Sequence, residues 1–261
     1  MDIVVTHNAG FFSCCSVKLY EIIQYFNCNK KIPKTVDSSK QFAWYKTNDI
    51  DVTYDYFKHY DNVDIEICYN DNIDYHHDYQ FAKYENIDYD NICKFVKKYF
   101  TLSDAIANMT ETIIHKYNID YANTCVLFYR GNDKIRETTI CGYDEYIEKA
   151  KFILDKNPNI KFLLQSDETE FIETFTALFP SNSYYFQDEI RHMKKCNNTV
   201  DMTMRDDIVN MSKQYLAITY IMSQCKYIVC GSGNCSIWIL FYRENAKNVY
   251  QNLNNEWVFI E

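Results

Sequence analysis

The sequence predicts an α/β protein built on a parallel, doubly wound sheet. Three observations carry that expectation. Between 124 and 243, short apolar runs alternate with longer stretches of helical periodicity, the alternation that produces parallel sheets. The apolar runs stop abruptly: Cys125-Val126-Leu127-Phe128-Tyr129 gives way at once to Arg130-Gly131-Asn132-Asp133-Lys134. Runs of this length bounded by turn residues read as buried strands. The same strand, turn and helix layout opens the chain, with Ile3–Thr6 as strand, His7–Gly10 as turn and a helical stripe of Ser16, Leu19, Tyr20, Ile23 and Phe26.

Composition bounds the rest. A chain of 261 residues has room for one large or two small domains, and 47% hydrophobic with 24% charged residues is ordinary for a globular protein. The formal net charge of −9 argues against broad binding to a nucleic-acid backbone while leaving room for a local basic pocket. Tyr and Phe number 24 and 17 against 5 Gly and 3 Pro, and Asn, Ile, Lys and Asp are abundant. That bias is typical of an AT-rich genome, such as that of a protist or a giant DNA virus. The opening Met1-Asp2-Ile3-Val4-Val5 lacks the basic start and long apolar core of a signal peptide, and no run of about 18 apolar residues occurs. A cytoplasmic protein, without a membrane span, is expected. The cysteine count of 11 is odd, and Cys125, Cys225 and Cys230 lie in apolar segments, so reduced buried thiols are expected. Neither Cys14-Cys15 nor Cys225 with Cys230 has zinc spacing, and His76-His77-Asp78 lacks a further ligand at helical spacing and reads as a solvated loop.

Taken in order, the first helix ends near Asn27, and Thr35–Ser38 reads as a second strand. Residues 48–91 are polar and Tyr-rich without a clear period; short strands near 52–56 and 63–67 are expected within long loops. Thr101-Leu102-Ser103-Asp104 has a capping-box pattern, and Leu102, Ala105, Ile106, Met109, Ile113 and Tyr117 form an apolar stripe behind it. A domain boundary is placed there, giving 1–100 and 101–261. After Lys134 come a helix with Tyr143, Tyr146, Ile147, Ala150, Ile153 and Leu154 on one face, a strand at 160–164, a helix burying Phe171, Ile172, Phe175 and Leu178, and a strand at 183–186. A loop over 187–205 carries Arg191, His192, Lys194, Lys195 and Arg205. It is either a solvated basic loop or a lid. A long helix follows with Ile208, Met211, Tyr215, Ile218 and Met222 inward, then a strand at 227–230 and a helix opening at Gly231-Ser232-Gly233-Asn234-Cys235-Ser236.

Three strand ends carry polar groups: Arg130 to Lys134, Gln165 to Glu168, and Gly231 to Ser236. In a parallel sheet all three meet at one edge, where ligands of open α/β sheets bind. The last is an anion cradle, because two glycines admit a ligand to the backbone and helix N–H groups face it. Arginine suits phosphate through its permanent charge and paired donors. Arg130 is therefore read as the phosphate ligand of a sugar nucleotide, with an ion pair to Asp133 as the alternative. Asp167 and Glu168 are either ribose or base contacts or helix-start carboxylates stabilised by the dipole.

These residues resemble the NodZ and α1,6-fucosyltransferase group, which shares its fold type with the protein O-fucosyltransferases. The family strand ends His-x-Arg-Arg-x-Asp-Lys, and here the stretch is Phe128-Tyr129-Arg130-Gly131-Asn132-Asp133-Lys134. A second family block, Ala-Thr-Asp-Asp, is similar to Gln165-Ser166-Asp167-Glu168, and a third to Met222-Ser223-Gln224-Cys225 through Asn234. Gly10 to Cys15 and Val36-Asp37-Ser38 stand where the family has a glycine-rich loop and a strand end. The resemblance implies a GT-B fold, two Rossmann-like domains facing across a cleft. The 1–100 domain would take the acceptor side and 101–261 the nucleotide-sugar donor, GDP-fucose, without metal or other cofactor.

It also implies an inverting displacement with Arg130 stabilising the departing diphosphate, Glu137 as base and Lys134 orienting it. Gly10, Phe128, Asp133, Asp167, Glu168, Ser232, Gly233, Asn234 and Ser236 would bind the donor. Acceptors of the group are glycans, proteins or small molecules. Two positions depart from the pattern: Phe128 replaces a histidine, and Ile218 falls where a guanine-reading aspartate lies in the long helix. A different nucleotide sugar, or a binding protein without activity, is the alternative that these departures open.

Overall fold

The computed structural model describes residues 2–46, 50–67, 71–188, 192–203 and 205–260, and its longest parallel strands lie where the sequence is most apolar. In chain order the elements are β1 (Ile3–Val4), α1 (Phe11–Asn29), β2 (Val36–Asp37), α2 (Thr53–Tyr56), α3 (Tyr89–Phe100), α4 (Asp104–Tyr117), β3 (Thr124–Tyr129), α5 (Tyr143–Lys156) and β4 (Lys161–Ser166). They continue with α6 (Thr169–Leu178), β5 (Ser183–Tyr184), α7 (Val200–Thr203), α8 (Ile208–Gln224), β6 (Tyr227–Gly231), α9 (Asn234–Arg243), β7 (Val249–Leu253) and β8 (Glu256–Ile260).

Two sheets result. β1 and β2 pair in parallel, and a six-stranded sheet has the order β5-β4-β3-β6-β7-β8. Its strands are parallel except β8, which returns antiparallel to β7 through Asn254 and Asn255, both with left-handed φ (52° and 65°). A two-residue turn with positive φ matches the twist of a hairpin, and Asn tolerates that conformation. The α/β class with a parallel sheet is as the sequence predicts, and the arrangement is consistent with the GT-B class.

β3 shows why its sequence is apolar throughout. Cys125, Leu127 and Tyr129 enter one cluster with Tyr146, Ala150 and Ile153 of α5 and Phe171 and Phe175 of α6. Val126 and Phe128 enter the other, with Leu216 and Ile218 of α8 and Ile237 and Trp238 of α9. A central parallel strand covered on both faces must be apolar at every position. The second cluster continues without a break into Phe12, Leu19 and Ile22 of α1 and Phe95 and Phe100 of α3. Trp238 donates its indole N–H to Ser16 Oγ at 2.9 Å, and Ser16 donates to Asn234 Oδ1 at 2.8 Å, which pins α1 against the start of α9.

Several local expectations change. Residues 53–56 are helix, not strand, and 64–67 have no regular structure. Val52, Thr53, Tyr56 and Phe57 are buried, a three-to-four spacing that the alternating Val52-Tyr54-Tyr56 disguises as period two. The N-cap of α4 is Ser103, whose Oγ accepts the Ile106 N–H at 3.4 Å, while Thr101 closes α3. The described cysteines are unpaired, and most are buried. No helix of the described residues is long and apolar enough to cross a membrane.

Candidate active site

β3, β4 and β6 run parallel and in register, so their carboxyl ends, Tyr129, Ser166 and Gly231, reach one edge of the sheet. A cleft of about 380 Å³ opens there. One wall is made by Arg130, Asp133, Lys134 and Glu137 after β3, and by Gly231 to Ser236 at the start of α9. The facing wall is Gly10 to Ser13 at the start of α1, with Trp44. Two helix N-termini therefore look into one space where Arg130 and Lys134 stand among Asp133, Glu137 and Asp201, so the donors for an anion are the helix-start amides and the guanidinium rather than a net positive charge.

Arg130 is held rather than loose. Its Nε donates to Asp167 Oδ2 at 2.8 Å, one terminal nitrogen to Asp133 Oδ1 at 3.2 Å and the other to Cys235 Sγ at 3.2 Å. A guanidinium has five donors, so two stay unspent in a residue that lines the cleft. Burial works against the charge, but Asp167, with Cys235, Tyr215 and Asp133, outweighs it and keeps the guanidinium ionised beyond its ordinary range. The ion pair with Asp133 and a place in the cleft are thus both present.

Asp167 and Glu168 do not line the cleft, a correction to their reading as ribose or base contacts. Both are buried, at 1% and 0% exposure. Asp167 takes the Arg130 Nε–H and the Gly131 N–H, both at 2.8 Å. Glu168 takes the Asn132 N–H at 2.9 Å and the Tyr143 hydroxyl, with Lys195 Nζ 3.7 Å away. Carboxylates that accept several donors fix those donors in place. They are the buried props of the arginine loop. Gly131 is required by the same packing, because a Cβ there would lie 2.0 Å from Glu168 Oε1. The burial of Tyr143 and its bond to Glu168 push the phenol up.

The α9 turn presents backbone rather than hydroxyls. Ser232 Oγ donates to the Asn252 carbonyl at 2.9 Å, and Ser236 Oγ to the Gly231 carbonyl at 2.5 Å. The Gly233 N–H goes to the Tyr84 hydroxyl at 3.1 Å. The first bond closing the helix is Ile237 N–H to Gly233 O, so the amides of Asn234, Cys235 and Ser236 precede it and point out of the helix start. Gly233 sits at φ 157°, ψ 170°, a region essentially confined to glycine, and a Cβ on it would meet Lys134 Cε at 2.9 Å. Lys134 Nζ in turn holds Glu137 Oε2 at 2.5 Å and lies 5.1 Å from the Phe81 ring centre. Glu137 is half-exposed at the cleft.

Phe128 is buried and gives the cleft an apolar floor; Ile218 is buried in the core beneath. Neither supplies a polar group. Residues 192–196 are strapped across the sheet edge. Met193 N–H donates to Asp167 O at 3.1 Å, Thr169 N–H to Met193 O at 2.9 Å, and Cys196 N–H to Asn132 Oδ1 at 2.8 Å. Arg191 and the side chain of Arg205 lie outside the described residues. Among the described residues, 192–203 contribute Thr199 and Asp201 to the cleft, and the Asp201 carboxylate accepts the Tyr45 hydroxyl at 2.8 Å. Sequence patterning gave no sign of Asp201, nor of Gln80 and Asn252, which also line the cleft. His76, His77 and Asp78 bring their ligand-type atoms within 4.8 Å of one another, and His76 Nδ1 caps the turn by accepting the Asp78 N–H at 3.2 Å.

No family model matches the chain, and no curated protein does. Among solved structures, one that resembles it is the crystal structure of NodZ alpha-1,6-fucosyltransferase soaked with GDP-fucose. The TM-score is 0.44 at 8% identity, over 67% of this chain and 54% of that one. The chain thus spans about half the length of that structure. At this score the likeness has no weight of its own, and the reading of the site rests on the sheet edge and the cleft.

Proposed function

We propose that the chain is an inverting, metal-independent glycosyltransferase that moves a sugar, fucose from GDP-fucose, onto an acceptor hydroxyl. One observation carries this reading: Arg130, Lys134 and the open amides of α9 converge on a single cleft at the carboxyl edge of a parallel sheet. A diphosphate seated there would meet the two unspent donors of Arg130 and the amides of Asn234, Cys235 and Ser236. In the reaction the acceptor oxygen forms a bond to the anomeric carbon as the bond to the diphosphate oxygen breaks. The acceptor proton passes to Glu137, and Arg130 stabilises the charge that collects on the leaving diphosphate. Lys134 orients Glu137.

In this reading 1–100 faces the acceptor and 101–261 the donor, and the charge of Arg130 and Lys134 takes the place of a metal. Acceptors are glycans, proteins or small molecules, and nucleic acid is not a partner. The residue bias supports an AT-rich source such as a giant virus, with the host cytoplasm as the place of action. Release of GDP from GDP-fucose in the presence of an acceptor mixture, with and without EDTA, tests the reading. Turnover that survives EDTA and inverts the anomeric centre supports it; turnover abolished by EDTA overturns the metal-independent mechanism. The second reading, a nucleotide-sugar-binding protein without turnover, is favoured by the loss of polar side chains at Phe128 and Ile218. It predicts binding of GDP-fucose without GDP release, with or without acceptor.

A further inference from the structure

Two side-chain amides in the cleft wall stand out because they have no partner. Asn252 is 4% exposed and Gln80 9% exposed. Among the described residues, Asn252 Nδ2 and Gln80 Oε1 make no hydrogen bond, and both residues line the cleft. A buried polar atom left unpaired is costly and rare in folded proteins, and its usual explanation is a ligand or water that belongs there. The two amides flank the anion cradle on opposite sides. The Asn252 carbonyl is tied to Ser232, while the Gln80 carbonyl accepts the Tyr84 hydroxyl that also receives the Gly233 N–H. Ser232 and Gly233 thus lie between them.

Their surroundings differ. On the Asn252 side the lining is largely apolar: Ile140, with Tyr146 and Cys141 almost fully buried. Tyr146 spends its hydroxyl on the Phe128 carbonyl at 3.0 Å and packs its ring against Tyr129, Phe171 and Trp257. Gln80 precedes Phe81, whose ring lies under Lys134 Nζ, next to the Lys134–Glu137 pair. The orphan groups also differ in kind. Gln80 Oε1 is an acceptor, and so are phosphate oxygens, so a bare diphosphate cannot satisfy it; an O–H or N–H must reach it.

We infer that the ligand is a diphosphate substituted at both ends, laid so that its nucleobase meets Asn252 and its transferred sugar donates a hydroxyl to Gln80. This rests on the nucleotide-sugar reading above and adds the direction of the ligand and two specificity-determining residues. The planar base lies along Ile140 with its polar edge on the Asn252 amide. The sugar lies beside Lys134 and Glu137.

The test compares inorganic pyrophosphate, GDP, UDP, ADP and the matching sugar nucleotides by calorimetry on three proteins: the unmodified chain, Asn252→Leu and Gln80→Met. Both substitutions keep side-chain size and remove the amide. Asn252→Leu should cut the preference for the best nucleoside diphosphate over pyrophosphate by about tenfold, the worth of one hydrogen bond, and leave pyrophosphate binding unchanged. Gln80→Met should leave nucleoside diphosphate binding unchanged and cut the added affinity of the sugar nucleotide by a similar factor. Unliganded melting temperatures should stay level or rise, because an unsatisfied buried group is removed; a fall shows that the amide has a partner in the free protein and overturns the inference. If both variants bind every probe as the unmodified chain does, or if their effects are exchanged, the inference fails while the nucleotide-sugar reading stands. If the unmodified chain binds pyrophosphate and no nucleotide, the reading itself fails and the inference with it.

Discussion

Asp167→Asn isolates the prop beneath the site. The substitution keeps the shape of the side chain and removes its charge, at a position 1% exposed. Asp167 receives the Arg130 Nε–H and the Gly131 N–H at 2.8 Å each. An asparagine has one oxygen for two donors, and its amide nitrogen must then face another N–H. Arg130, only 20% exposed, keeps Asp133 at 3.2 Å as its one remaining carboxylate. Breaking one partner of a buried pair costs roughly 3–5 kcal/mol. For a chain of this size about 2–4 °C of melting temperature corresponds to each kcal/mol, so a fall of roughly 6–20 °C is expected. Thermal unfolding by circular dichroism measures it. The same variant should weaken pyrophosphate binding, because the guanidinium loses its aim. A melting temperature within about 2 °C of the unmodified protein, too small for any buried pair, would refute the claim that Asp167 holds Arg130.

Other expectations follow from the same geometry. Gly233→Ala places a Cβ 2.9 Å from Lys134 Cε at φ 157°, and should cost about 1–3 kcal/mol and displace Lys134 from Glu137, read as a lower melting temperature with weaker pyrophosphate binding. Glu137→Gln should lower transfer by about 10²–10⁴ while leaving donor binding in place, measured as a kcat loss without a KM change. Lys18 is buried in α1 with Thr53 Oγ1 at 3.2 Å, and burial lowers its pKa from 10.5 to about 8 against the pull of Asp51 and Asp37. Between those two values the unfolded chain binds more protons than the folded one, so this residue makes stability rise with pH from about 8 towards 10.5 by roughly 3 kcal/mol. Buried thiols such as Cys15, Cys125 and Cys225, whose pKa values burial raises, pull total stability the other way in this range, so the comparison by denaturant unfolding is with Lys18→Met, which should be the more stable protein at pH 7 and lose that advantage towards pH 10.5.

The parts legible in the sequence are those where one physical demand rules every residue. β3 must be apolar on both faces, and it ends at the charge it presents, so Cys125 to Arg130 could be read directly. The strand-end rule then gathered Arg130, Lys134 and Gly233 at one edge, where the structure has them. Other parts depended on partners far along the chain. Val249-Tyr250-Gln251-Asn252 looks too polar for a buried strand, yet Gln251 is fully buried because its amide meets Tyr84, Ala82 and Ser232. α3 hides its apolar face, Ile92, Phe95, Val96 and Tyr99, in a stretch rich in Asp, Lys and Tyr. Asp167 and Glu168 stood at a strand end like any ligand residues. Only their burial reveals that they serve the loop and not the ligand. Asp201 had no local signal at all, since its place in the cleft comes from the strap running back over the sheet edge.

The central claim concerns one guanidinium and a leaving diphosphate, and Arg130→Lys tests it most directly. Lysine keeps the charge but cannot hold Asp167 and Asp133 while also pointing two donors into the cleft. Transfer from GDP-fucose should fall by about 10²–10³, with folding verified by circular dichroism. A folded Arg130→Lys protein that turns over at the unmodified rate would contradict the account.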